Sequence, residues 1–377
     1  MEVSVLRRIS VHPSADHLLP YLFASFRESP TGDLDSLHSS INLRILYGTE
    51  NRFKKMFRSS RKVFDTILEV LSPFLNDGMS RNHQQNVSAS LKLGVALYCF
   101  AHGGDCFHLE AASGLSKPTA LKYVHQVAEL ICTKLGPHWM GPALLEQEGY
   151  MKSNRERFRL RNGMPYIGAA VDGTHVPYFP NSGESQQDYK NYKMWCSMLC
   201  IGIVNSQHCF LDMDVGWPGR LHDKTCTEYS YFWAEMHKNR KLWLGKDGVV
   251  TADTAWGIGS ELVLTPYTVA DGSTEALQWY NFVHSSTRFF VEEVYGRWKN
   301  RFRCLIHGLR FSNEHSMKII YATAVLHNIC TLCNDLEDFY FDGTDSGEGF
   351  PNSPISVYNK KYPLDKIVCQ CCQKTSH

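Results

Sequence analysis

Four acidic side chains carry the chemistry open to this sequence. Asp172 closes the apolar run at residues 166–171, Asp253 closes residues 248–252, Asp223 follows the turn Gly216-Trp217-Pro218-Gly219, and Glu292 lies inside a stretch of helical periodicity. A hard cation such as Mg²⁺ or Mn²⁺ takes carboxylate oxygens and keeps positions open for water and phosphate. Two such ions about 3.5–4 Å apart stabilise the attacking and leaving oxygens of an in-line phosphoryl displacement, and three or four carboxylates are what the pair needs. A lone acid at a strand end or on a helix more commonly makes a cap or a salt bridge, so only convergence would mark a site.

Bringing such acids together requires a sheet and a helix. Apolar runs at residues 166–171, 194–204, 209–215 and 248–252 predict strands, with an edge strand at 262–264, while residues 224–237 and 282–302 predict helices. Strands first, then strand alternating with helix, predict a mixed sheet flanked by helices, an α/β layer fold. If the strands ending in Asp172 and Asp253 are neighbours, both carboxylates leave the same sheet edge, where α/β folds place ligands. Along the long helix, Glu292 has Arg288, Gly296 and Lys299 at four and seven residues' distance. One face therefore shows an acid flanked by bases, beside a glycine that lets another chain come close.

Upstream, the first 50 residues show little periodicity and contain the turn-prone Ser29-Pro30-Thr31-Gly32, which predicts a weakly structured segment. Helical spacing predicts helices over residues 57–75, 89–101, 107–113 and 117–135. Between the last two lies Ser113-Gly114-Leu115-Ser116. A glycine-containing turn, with Ser116 as N-cap and Pro118 in the first helical turn, predicts a helix-turn-helix. Its last helix would offer Lys117, Thr119 and Lys122 to phosphates or to base edges in a major groove, although a plain helical hairpin has the same spelling. Residues 52–62 hold six bases and no acid, and residues 297–310 hold five, patterns that suit either a polyanion groove or a solvated helix face.

A chain of 377 residues, 43% hydrophobic and 20% charged, should fold as one or two domains. No apolar run approaches the roughly 20 residues that span a bilayer, and the first residues lack a secretory signal, so an intracellular protein outside the membrane is expected. Thirteen cysteines, an odd number set mostly in apolar segments, read as reduced thiols rather than a disulfide framework. Cys369, Cys371, Cys372 and His377 are packed too closely to complete one tetrahedral zinc site unaided. His327, Cys330 and Cys333, spaced every third residue on a helix, read as core. A net charge of +1 argues neither for nor against nucleic acid.

Residues 158–178, FRLRNGMPYIGAAVDGTHVPY, resemble the start of the catalytic domain in PIF/Harbinger transposases and their domesticated, nuclease-like relatives. VDGTH is the most specific part. VGWPGRLHD (215–223), VVTAD (249–253), NFVHSSTRFFVEEVYGRWKNRFRCL (281–305) and the stretch ending AVLHN (324–328) keep the family order. FRSSRKVFDTILEVLSPFL (57–75) and the helix-turn-helix also match, so the resemblance covers residues 52–333.

That resemblance implies an RNase H-like fold and a divalent-metal site formed by Asp172, Asp223, Asp253 and Glu292, with Asp172, Asp253 and Glu292 as the catalytic DDE triad. Asp223 is either a direct ligand or one step removed. Glu293 is the neighbouring alternative to Glu292, but Val291-Glu292 fits the family register, and a one-residue shift would turn the side chain by about 100°. The implied reaction is Mg²⁺- or Mn²⁺-dependent cutting of DNA phosphodiesters, followed in a complete transposase by strand transfer from the freed 3′-hydroxyl. Lys299, Arg301 and Arg303 would hold phosphates near Glu292. The implied partners are DNA and a Myb-like DNA-binding protein, and a homo-oligomer is left open. The implied location is the nucleus, with the cytoplasm as a second compartment. The implied organisation is a weakly structured segment (1–50), a helical region with the helix-turn-helix (51–160), the nuclease domain (161–333), and an acidic, then cysteine-containing tail (334–377). Two departures stand out. Ala252 replaces a usual glycine, and Thr254-Ala255-Trp256 replaces a small residue, glycine and tyrosine, with Trp256 preserving the aromatic. The rival reading is a domesticated, catalytically inactive DNA-binding or scaffold protein of the same fold. A different metal phosphoesterase is disfavoured by the helix-turn-helix and the basic helix.

Overall fold

The computed structural model describes residues 39–76, 87–103, 106–256, 261–268 and 274–335. The apolar runs form strands β1 (Ile167–Pro177), β2 (Ser197–Val204), β3 (Phe210–Pro218), β4 (Val249–Thr251) and β5 (Val263–Leu264). They make one sheet in the order β3-β2-β1-β4-β5. The β1/β2 and β2/β3 pairs are antiparallel, whereas β4 runs parallel to β1 and β5 parallel to β4. The expectation that the first strand stops before Asp172 is corrected here. Pairing with β4 ends at Ala170 opposite Thr251, but pairing with β2 continues through Pro177, so Asp172 lies inside β1 just past the end of its parallel neighbour.

The principal helices, in chain order, are α1 (Ser40–Tyr47), α2 (Glu50–Phe57), α3 (Arg61–Asn76), α4 (Ala89–His102), α5 (Cys106–Ser113), α6 (Lys117–Leu130), α7 (Tyr150–Asn162), α8 (Asp223–Glu228), α9 (Tyr231–Lys238), α10 (Glu275–Arg301) and α11 (Asn313–Leu332). Several differ from the periodicity reading for local reasons. The helix predicted over residues 57–75 starts later, as α3, because Arg58 takes a left-handed conformation (φ 55°) and closes the separate helix α2. Residues 224–237 split at Ser230, whose hydroxyl accepts from the Trp233 N–H and caps α9. Residues 131–135 form a π-helical turn after α6. Helix α1 falls within the segment expected to be weakly structured, and burial of Ile41 and Ile45 accounts for it.

Alternation along the strands sorts side chains onto two faces. Ala170, Val176, Met198 and Cys200 face α10 and α11, meeting Val291, Val294, Trp298 and Ile320. Ala169, Val171, Leu199 and Ile201 face the other way, onto Cys226, Phe232, Met236 and Trp243. Each fully buried large apolar side chain contributes roughly 1.5–3 kcal/mol, so the sheet is clamped from both sides. The first core does not stop at the sheet. It runs on into Phe53, Phe57, Phe64, Leu97 and Val124 of the helical region, which makes the boundary near residue 160 a feature of the sequence rather than of the packing.

Arg301 belongs to that seam. It is 5% exposed and donates to the carbonyls of Arg58 and Asp335, 2.6 Å each, tying α2 and the end of α11 to α10. Among the described residues, Cys99, Cys200, Cys209, Cys226, Cys304 and Cys330 are buried free thiols, and no helix is long and apolar enough to cross a membrane. His327 and Cys330 are buried, as expected of core positions. The acidic run beyond Asp335 and Cys369, Cys371, Cys372 and His377 lie outside the described residues.

Candidate functional site

Asp172 is the centre of the site. Its backbone carbonyl accepts from the Tyr295 hydroxyl at 2.5 Å, and the hydroxyl oxygen of Tyr295 accepts from the Gly202 N–H at 3.0 Å, so one buried tyrosine of α10 locks β1 and β2 in register. One carboxylate oxygen of Asp172 accepts from the Gly173 N–H at 2.9 Å, and the other receives Arg288 at 3.1 Å. The side chain is only 14% exposed. Burial raises its pKa to about 7, and Asp223 and Asp253 push it the same way, while Arg288 and the Gly173 N–H pull it down.

Those influences place the other two aspartates. Asp253 follows β4, two residues past the end of its pairing with β1, and its Oδ1 accepts from the Ala255 N–H at 2.8 Å, shaping the turn that ends in buried Trp256. His284 holds this part of the sheet, its Nε2 lying 3.0 Å from the Thr251 hydroxyl and 2.9 Å from the Leu264 carbonyl. Asp223 opens α8. Its carboxylate rests directly over Gly173, where any β-carbon would run into it, so the glycine of VDGTH admits the second acid beside the first. Burial raises the Asp223 pKa, and Asp253 adds to the rise.

On α10, Glu292 and Glu293 diverge. Arg288, one turn earlier, bridges Glu292 at 2.5 Å and Asp172 at 3.1 Å, so Glu292 belongs to the aspartate side. Glu293 instead meets Arg161, His208 and Arg297 at 3.1, 3.1 and 2.8 Å. The register that favoured Glu292 agrees with this geometry. Among the described residues, no three His, Cys, Asp or Glu side chains stand close enough to hold a metal as they are. Arg288 is instead the cation between two of the acids.

The proposed DNA contacts fall into two groups. Lys117 and Lys122 are exposed at the start of α6, which follows α5 across a turn at Gly114 (φ 67°). Thr119 is half-buried and pairs with the Ser116 hydroxyl at 2.9 Å, so Ser116 stands at the N-cap position without bonding the backbone there. Arg303 is exposed beyond α10. Lys299 and Arg301 do not match the expectation of free phosphate clamps. Lys299 donates to the Thr174 hydroxyl (2.7 Å) and the His175 carbonyl (2.8 Å), and desolvation lowers its pKa to about 8. Arg301 is enclosed in the seam described above. They are consecutive bases of one run, between exposed Arg297 and Arg303, and spacing alone does not tell inward from outward. Arg288, Tyr295 and Gly173 carry positioning roles that acid-hunting overlooks. The i−4 spacing from Glu292 pointed at Arg288, whereas a buried tyrosine reads as ordinary core.

Comparison with known proteins agrees with this arrangement. The DDE superfamily endonuclease family matches residues 171–328, which include all four acids. The human protein named "Putative nuclease HARBI1" is 27% identical over 288 residues, covering 74% of this chain and 78% of the relative. The Arabidopsis thaliana "Protein ALP1-like" is 24% identical over 312 residues, covering 77% and 72%. No solved structure matches the chain. Residues 171–328 thus match the DDE superfamily endonuclease family, and about three quarters of the chain is similar to the HARBI1 and ALP1-like proteins.

Proposed function

We propose that the chain is a divalent-metal-dependent DNA endonuclease on an RNase H-like fold, with Asp172, Asp253 and Glu292 as its catalytic acids and Asp223 as a fourth ligand or close support. The carrying observation is the charge balance around Asp172. Desolvation raises the proton affinity of Asp172 and Asp223, the charge of Asp253 adds to both, and one guanidinium, Arg288, answers Asp172. An all-oxygen donor set with a deficit of positive charge fits a hard cation, and two of its members already share Arg288. The strand order β3-β2-β1-β4-β5, with two antiparallel and two parallel pairings, supports the RNase H-like reading.

A bound Mg²⁺ or Mn²⁺ supplies Lewis-acid activation of the phosphodiester and of the attacking water. The protein's own residues supply placement. Tyr295 and the Gly173 N–H fix both ends of Asp172, His284 fixes the end of β4, and Gly173 admits Asp223. Arg288 neutralises Asp172 and Glu292. Lys117 and Lys122 on α6, and Arg303 beyond α10, offer exposed charge to the DNA backbone. A nuclear location and a Myb-like partner rest on the harbinger resemblance and on the chain's near-neutral charge.

The test is cleavage of terminal-repeat DNA by purified protein with Mn²⁺. Asp172→Asn should abolish it, and equal cleavage by that variant would sink the assignment. One observation favours a second reading, a non-cutting DNA-binding protein: Arg288 spans Asp172 and Glu292 and satisfies both without metal. Calorimetric titration with Mn²⁺ separates the two, because only the nuclease reading requires binding that depends on Asp172.

A further inference from the structure

Beyond β1 the chain makes a hairpin that neither the fold nor the acidic site uses. Lys190 and Cys196 pair as an antiparallel bridge, the Asn191 N–H donates to the Trp195 carbonyl at 3.0 Å, and the Met194 N–H donates to the Asn191 carbonyl at 2.9 Å. Asn191 is buried and works as an internal brace. Its Oδ1 accepts from the Lys193 N–H at 2.9 Å, and its Nδ2 donates to the Ser197 hydroxyl at 3.1 Å. Met194 sits at φ 69°, a conformation that costs a non-glycine residue energy and persists only where the surroundings impose it.

This braced loop holds its apolar side chains in solvent. Tyr192 is 78% exposed and Met194 68%, with Trp195 half-exposed beside them. Rigid presentation of exposed aromatics has no folding rationale and is a mark of binding surfaces. The chemistry alongside is cationic. Lys193 lies 5.5 Å from the Tyr192 ring centroid, and at the neighbouring edge Arg310 stands 3.9 Å over the half-exposed Phe179. The acids of the same connection, Glu184 and Asp188, lie lower in it. Glu184 is engaged by the Tyr178 hydroxyl and the Asn181 N–H.

The hairpin also leans on the catalytic strand. The His175 ring is 6.1 Å from Tyr192 and 6.0 Å from Trp195, centroid to centroid, and its Nδ1 shares a hydrogen bond with the Ser197 hydroxyl. His175 shares a face of β1 with Gly173, over which the Asp223 carboxylate rests, two residues and roughly 7 Å away along an extended strand, on the order of two nucleotides. Aromatics stack on any base without needing its sequence, and flanking cations hold the strand's phosphates.

We propose that the Tyr192–Trp195 hairpin tip receives an unpaired nucleobase of the DNA substrate next to the bond being cut. This rests on the nuclease reading. The competing occupant of such a tip is a second copy of the chain.

The test uses the full chain with Ca²⁺ in place of Mn²⁺ and a terminal-repeat duplex carrying one unpaired 2-aminopurine. Stacking should quench the probe on binding, and Tyr192→Ala/Trp195→Ala should abolish the quench. The same variant should weaken binding to that duplex about ten-fold or more, while its affinity for the fully paired duplex stays near wild type. Tyr192→Phe/Trp195→Phe should retain the quench, which separates stacking from misfolding. Unchanged quenching in the alanine variant would overturn the proposal. So would a shift in sedimentation from larger to smaller species, which would assign the tip to self-association. Cleavage by wild type with Mn²⁺ is scored separately, so a nuclease that cuts without quenching sinks only the hairpin, and an inert protein that still quenches sinks only the nuclease.

Discussion

Glu292 and Glu293 are one residue and about 100° apart on α10, and the environments they enter differ far more. Glu293 is met by Arg161, Arg297 and His208, and these hold its pKa down to about 2 despite partial burial. Across the helix, Glu292 and Asp172 share Arg288, and burial together with the nearby charges of Asp223 and Asp253 raises the Asp172 pKa to about 7. An acid among bases is a satisfied structural group. An acid among acids, desolvated and answered by one guanidinium, holds its proton more tightly.

The largest effect that would break this comparison is on cutting. Asp172→Asn should lower Mn²⁺-dependent cleavage beyond the roughly 100-fold ceiling typical of groups one step from a metal, while Glu293→Gln leaves cleavage unchanged. A gel assay on labelled terminal-repeat DNA reads both, and a Glu293 variant as dead as the Asp172 variant would erase the distinction. Next, Gly173→Ala should cost about 10–100-fold in the same assay with the melt preserved, because the new methyl displaces the Asp223 carboxylate. Full activity would place Asp223 outside the site.

A third expectation concerns pH in metal-free protein. The folded pKa of Asp172 lies above its ordinary 3.8, so its contribution is fully present below that value and is lost as pH rises toward about 7. The loss is on the order of 3 kcal/mol, shared with the acids around it. Glu293 runs the other way. Its contribution is present above 4.5 and is lost as pH falls toward about 2. Urea denaturation from pH 4 to 8 in chelator should show the first slope, and Asp172→Asn should flatten it; a wild-type stability that stayed level or rose across this range would contradict the raised pKa. Smallest is the stability cost of Glu293→Gln, about 1–2 kcal/mol, between the exposed and buried ion-pair ranges. The same denaturation series at pH 7 measures it, and a variant as stable as wild type would mean the three bases are merely nearby.

Much of this could be read before any coordinates. The strands and the long helix follow from runs and periodicity, and the acids stand out because each punctuates one of them. What misled was local. The strand through Asp172 looked finished, since a charged residue followed by glycine resembles a stop, yet antiparallel pairing to β2 carries it on to Pro177. In the basic run after Arg297, sequence alone offers Lys299, Arg301 and Arg303 alike to phosphates. Helix rotation buries Arg301 and turns Lys299 onto β1 while leaving Arg303 in solvent.

The sequence by itself determined which residues can do the chemistry and in what order they come, because residue type and hydrophobic period are local properties. Only the tertiary structure decided which of them meet. That Arg288 reaches Asp172 across 116 residues and joins it to Glu292, that Asp223 lies over Gly173, and that Glu293 turns away depend on strand order and helix rotation. Those are set by packing two faces of one sheet, which no local pattern specifies.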